Sequence, residues 1–272
     1  MKAFFVAAAF ILVAASAAVA AENTLVADSM TYDPNAGVIT AAGNIHATNP
    51  DGEVFGDFGI GTLDGNTIEM TGSVRGHYRD AEGSVINFSC DSALIVGRDS
   101  AERVITGSGN VELSRGGDRL SADHVVWHTG APVYSASGGV RGEFDTYSID
   151  ADEVSRNHED FSAQNVRRFY ERMRNITMSA SEADGIIRDD GVAEMTARGN
   201  VVITMPDSEG VMTRATGNTG VFSETRGTVV LSGGAAINQT GRVLNSENIV
   251  YFLDTGLMDA HGNPSIVFEM DR

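Results

Sequence analysis

The chain has 272 residues, of which 19 are Lys or Arg and 37 are Asp or Glu, for a formal charge of −18. That balance argues against nucleic acid, or an anionic membrane surface, as a partner held by bulk electrostatics. A single cysteine, Cys90, excludes an internal disulfide, so packing and sheet hydrogen bonds must hold the fold.

At the N-terminus Lys2, the only lysine, precedes the apolar run AFFVAAAFILVAASAAVA, with small residues at Ala18 and Ala20. This is the pattern of an export signal, which we assign to residues 1–21; an uncleaved anchor is the alternative. No later stretch is apolar enough to span a bilayer as a helix. Residues 22–272 then read as one repeat domain.

The first unit runs VADSMTY, DPNAG, VITAAGNI from Val26, and its Gly-Asn string returns along the chain. Taking the glycine as origin, Gly43, Gly72, Gly109, Gly138, Gly199, Gly234 and Gly262 are equivalent, about 30 residues apart with one double-length gap after Gly138. Four residues before the glycine stand Ile39, Ile68, Ile105, Tyr134 and Met195; two after it stand Ile45, Val74, Val111, Val140 and Val201. Apolar residues at even offsets are the period of a strand with one buried face, not of a helix.

A second strand precedes each of these, seen in VADSMTY, SADHVVW and NSENIVYF. In it, large residues such as Met30, Val125, Ile186 and Val250, then Tyr32, Trp127 and Phe252, follow an Asp or Asn. Turn strings rich in Gly, Pro and Asp separate the two strands. In the double-length gap, FSAQNVRRFYERMRNI (161–176) is either a short helix, on the spacing of Val166, Phe169, Tyr170 and Met173, or a degenerate repeat with a long turn. Pro264 falls in the last strand, where a missing amide is tolerable only at an edge. The fold expected is all-β: stacked antiparallel strand-turn-strand units, about sixteen strands in all.

Enzyme motifs are absent: there is no G-x-S-x-G, no H-E-x-x-H, no P-loop and no paired cysteine ligands, which points to a non-enzyme without cofactor or metal. His124 and His128, four apart on a strand, would lie about 13 Å from each other, too far for one ion. Arg167, Arg168, Arg172 and Arg174 form the one basic cluster, fit for an anionic head group or simply a solvated face beside Glu159 and Asp160. The apolar columns have two readings, a closed core or an open groove beside the small residues.

The recurring A-D-x-Φ-x-Y, turn, Φ-x-A-x-G-N-V pattern, in VADSMTYDPNAGVITAAGNI and again in EMTARGNVVI, resembles the OstA-like domain of the lipopolysaccharide-transport proteins LptA, LptC and the LptD N-terminus. The resemblance implies an open, taco-like β-jellyroll in the periplasm, of the LptA kind, whose groove shields lipid A acyl chains. Groove candidates are then Ile39, Ile45, Ile68, Val74, Ile105, Val111, Tyr134, Val140, Met195 and Val201, with the four arginines as head-group contacts. It further implies edge-strand pairing with LptC-like and LptD-like proteins and head-to-tail oligomers of the chain itself. A closed β-repeat protein with a structural or adhesive role and no lipid cargo is the rival expectation.

Overall fold

The computed structural model describes residues 24–49, 52–62, 66–79, 84–97, 104–128, 131–188, 191–206, 210–239 and 241–268. The export signal expected over 1–21 lies outside them. The chain divides into an N-terminal unit ending at Val140 and a C-terminal unit beginning at Arg141.

The N-terminal unit contains β1 (Thr24–Val26), β2 (Ser29–Asp33), β3 (Val38–Asn49), β4 (Gly52–Thr62), β5 (Thr67–Arg79), β6 (Val85–Val96), β7 (Val104–Arg115) and β8 (Asp118–His128). The chain runs on through β9 (Val133–Glu143). The C-terminal unit contains β10 (Tyr147–Asn157), β11 (Asp160–Glu171), β12 (Ile176–Arg188), β13 (Gly191–Pro206), β14 (Met212–Ser223), β15 (Thr228–Gln239), β16 (Arg242–Phe252), β17 (Met258–His261) and β18 (Ser265–Phe268). Among the described residues there is no helix. From β3 to β8, and again from β10 to β16, each strand pairs antiparallel with the next.

In the N-terminal unit β1 and β2 both pair with β3; in the C-terminal unit β17 and β18 both pair with β16. Each is a terminal strand broken in two, which is why 18 strands appear where about sixteen were expected. Pro264 sits in the second break, between β17 and β18, not inside a strand as the sequence suggested.

The repeated Gly-Asn string makes the corner in β3, β7 and β13, and Gly-Ser or Gly-Gly takes its place in β5, β9 and β15. On β7, Ser108 faces His124 and Val111 faces Ala122, so Gly109 and Asn110 share the single partner position of Asp123: a β-bulge. Gly109 and Asn110 both have positive φ, 74° and 48°. A Cβ on Gly109 would stand 2.2 Å from the Asp91 carboxylate, so glycine alone fits there. Gly43 stands against Asp28 in the same way, Gly72 against Asp57 and Gly138 against Asp123 in the N-terminal unit, and Gly262 against Glu247 in the C-terminal unit.

The bulge keeps the apolar residues on one face despite the corner. Ile105, Val111 and Leu113 on β7 are buried, as are Leu120, Ala122, Val125 and Trp127 on β8. Burying each large side chain contributes about 1.5–3 kcal/mol. Cys90 belongs to this buried face, and burial pushes its thiol up to about 11.

Four further sequence expectations need correction. Ile186 of β12, placed with the inner residues, is only half-buried, because Ser181 is the residue set against the corner Gly199 and Ala183 and Ile187 are therefore the buried ones. Met30 and Tyr32, placed in the inner columns, are 53% and 59% exposed, because β2 is a terminal strand. In NSENIVYF the buried residues are Ile249 and Tyr251 rather than Val250 and Phe252, since the corner acid is Glu247 and not Asn248. The corner glycine of the next-to-last repeat is Gly233, set against Asn218, and not Gly234, so Val229, Leu231 and Ala235 form the buried column. Residues 161–176 are strand β11 and a turn, with Asn165 at φ 50° at the corner, preceded by Gln164 in place of glycine and donating from Nδ2 to Asp152 at 2.8 Å.

Candidate functional site

Each unit offers an inner face made from the alternate apolar residues of its strands. In the N-terminal unit Ile45, Ile68, Val74, Ile105, Val111 and Val140 are buried, while Ile39 and Tyr134 are half-buried. In the C-terminal unit Met195 and Val201 are buried. Ile39, Ile45 and Ile68 come together around a narrow apolar pocket of about 30 Å³, walled also by Leu25 of β1 and Met70 of β5. Away from the pocket the N-terminal unit's own side chains meet closely: a Cβ on Gly107 would touch both Val111 methyls at 3.4 Å and the Trp127 ring at 3.8 Å.

The arginine cluster does not converge. Arg167 is held by Asp150, at 2.6 Å, and by Asp152; these hydrogen bonds raise its pKa further, the Asp150 bond most. Arg172 pairs with Glu143 at 2.5 Å and donates to the Phe144 carbonyl at 3.2 Å. Arg174 lies 3.8 Å from Glu224. Arg168 lies over the Tyr170 ring at 5.1 Å, a cation–π contact. Three of the four guanidiniums are thus engaged by local carboxylates, which weakens the cluster as an anion site.

His124 accepts or donates at 3.0 Å with Ser108, and among the described residues no group of three His, Cys, Asp or Glu is placed to hold a metal ion. Sequence reading passed over Arg156. It is 9% exposed on the inner face of β10, and its strand position, two after the buried Val154, was the signal available.

Each unit has one unpaired outer edge of this kind among the described residues, at β1 and β2 in the N-terminal unit and at β17 and β18 in the C-terminal unit. β1 and β2 carry exposed Val26, Met30 and Tyr32; β18 carries exposed Ile266, Val267 and Phe268. Large apolar side chains on an open strand edge are a template for another strand.

Residues 96–257, more than half of the chain, match the family described as LptA/(LptD N-terminal domain) LPS transport protein. The chain belongs to this family. The match of this LPS-transport domain opens at Val96, the end of β6, and closes at Leu257, just before β17, so it takes in strands of both units. Among solved structures, LptH, described as the LptA homologous periplasmic component of the lipopolysaccharide transport device from Pseudomonas aeruginosa, is similar with TM-score 0.33 and 17% identity, over 56% of this chain and 95% of that one. No curated protein sequence matches.

Proposed function

We propose that this LPS-transport family member is a non-enzymatic periplasmic carrier that shields the acyl chains of lipid A in its apolar interior while the head group stays in water. Residues 1–21 act as its export leader, and the domain from residue 22 onward does the work. Bridging follows from the open edges: β1 and β2 at one end, β17 and β18 at the other, pair with LptC-like and LptD-like partners and with further copies, head to tail.

The observation that supports this best is the almost entirely apolar lining of the pocket beside β1, drawn from strands β1, β3, β4 and β5. Hydrocarbon entering such a space gains about 0.8 kcal/mol per buried methylene, with no ion pair needed, so an acidic chain can bind an anionic lipid by its tails. The pocket's small volume favours the rival reading, a closed repeat core without cargo.

One experiment separates them. Solvent extraction and mass spectrometry of protein purified from the periplasm, with a photocrosslinker at Ile105 or Val140, is expected to yield lipopolysaccharide and a lipid adduct. Protein-only crosslinks and no copurifying lipid would establish the closed core instead.

A further inference from the structure

The C-terminal unit places one arginine where its neighbours are apolar. Arg156 stands directly opposite Phe161 on β11; Phe161 stands opposite Gly185, Gly185 opposite Met195, and Met195 opposite Phe222. Directly paired residues share a face, so Arg156 heads an inner row that continues through Phe161, Met195 and Phe222, each of which is itself buried. Where a Cβ of Gly185 would go, the Glu194 carbonyl lies at 2.1 Å and the Phe161 ring at 2.8 Å, so glycine lets the ring lie across this part of the row.

Arg156 is the only charged residue among the buried ones described. Its Nε donates to the His158 carbonyl at 2.7 Å, across the β10–β11 turn. No carboxylate among the described residues pairs with it. A guanidinium carries five N–H donors, and one is spent, leaving both terminal nitrogens for another acceptor. Withdrawing a charge from water without a counter-charge is costly, and buried charges are normally paired. Arg167, Arg172 and Arg174, by contrast, have carboxylate partners.

We propose that the Arg156 guanidinium is the anion-recognition point of the C-terminal unit, taking the phosphate or other oxyanion head of an amphiphile whose hydrocarbon lies along the Phe161, Met195 and Phe222 row. This rests on the carrier reading above and adds to it the residue that selects an anionic head. The planar fork matches two oxygens of a phosphate at once, which a lysine ammonium does not. The rest of the site is hydrocarbon, so the two halves of the ligand are read by different residues.

Calorimetric titration of the full mature chain with dodecyl phosphate, dodecanol and inorganic phosphate tests this. The wild type is expected to bind dodecyl phosphate tightest and inorganic phosphate weakly. Arg156→Gln should weaken dodecyl phosphate about tenfold to a hundredfold and leave dodecanol within about twofold, the loss expected for charge-assisted hydrogen bonds. Arg156→Lys, which keeps the charge without the fork, should lie between, and it carries the test should the Gln variant not fold. A role limited to clamping the turn would lower the melting temperature of both variants and leave the ratio of the two amphiphile affinities unchanged; that result overturns the assignment. So does inorganic phosphate binding as tightly as dodecyl phosphate. If the wild type binds neither amphiphile, the carrier reading falls and this one with it; if it binds both and Arg156→Gln changes nothing, only the arginine assignment falls.

Discussion

Asn110 on β7 donates from its side-chain Nδ2 to Asp91 Oδ2 on β6 at 3.0 Å, and the same bond joins Asn44 to Asp28 at 2.9 Å. The repeated Gly-Asn is therefore a corner piece. At these two corners the glycine lets the chain turn against an aspartate and the asparagine ties that aspartate down, while Gly199 turns against Ser181.

Gly109→Ala and Gly116→Ala separate steric from backbone cost. Both glycines have positive φ, 74° and 59°, but nothing stands within 4 Å of a Cβ on Gly116, while a Cβ on Gly109 collides with Asp91. Gly116→Ala should cost about 1–2 kcal/mol, the left-handed penalty alone. Gly109→Ala should cost more, because Asp91 must move and its bond to Asn110 is strained. Urea unfolding midpoints measure both; equal losses would deny the corner its steric role.

The Asp152 carboxyl is held below the ordinary aspartate value, first by the Asn165 side-chain bond and next by Arg167. A carboxylate with a depressed folded pKa adds stability above its unfolded value of about 3.9, and that contribution is lost as pH falls through the folded value. NMR titration of the Asp152 carboxyl is expected to show a midpoint below the free aspartate value. Asn165→Ala should raise it more than Arg167→Gln does. The opposite order would make the ion pair, and not the corner asparagine, the main influence.

Head-to-tail pairing predicts how edge variants complement each other. Met30→Lys puts a charge on the β2 edge and Ile266→Lys on the β18 edge, a device that blunts strand addition. Each variant alone should be monomeric by light scattering at concentrations where the wild type assembles. Mixed together, they should form a dimer and no more, because one intact β18 edge meets one intact β2 edge. Self-association of either variant alone would point to like edges pairing instead.

Strand type and number were legible because period-2 columns such as Ile105, Gly107, Val111 survive in every repeat, and the family pattern rests on the same residues. Residue-level phase was less legible. Where glycines come in pairs, as Gly233-Gly234, only the neighbour across the strand, Asn218, decides which one turns the corner. The edge residues Met30 and Tyr32 follow the inner pattern in sequence, yet are exposed because no strand pairs beyond them among those described. The arginines misled for a related reason: nearness in sequence brought Arg167, Arg168, Arg172 and Arg174 together, while the ladder returned Asp150 and Asp152 to Arg167. Arg156 drew no notice because a lone arginine on a strand reads as solvated until its face is known.

The pocket beside β1 allows the hydrocarbon site to be tested by volume. A Cβ on Gly59 would meet the Ile45 Cδ1 at 3.4 Å, the Glu69 carbonyl at 3.5 Å and Met70 Cγ at 3.7 Å, contacts the wall can take with little movement. Gly59→Ala should therefore fold with stability changed by no more than about 1 kcal/mol, yet it places a methyl group at the wall of a pocket of only about 30 Å³. Excluding one methylene-sized volume from an apolar pocket costs a ligand about tenfold or more. Ile39→Ala trims the half-buried wall and widens the same space. Dodecanol affinity should thus fall in the first variant and hold or rise in the second, with thermal melts confirming that both are folded. If both bind as the wild type does, hydrocarbon does not occupy this end of the N-terminal unit, and the acyl chains must be sought along the Met195 row instead.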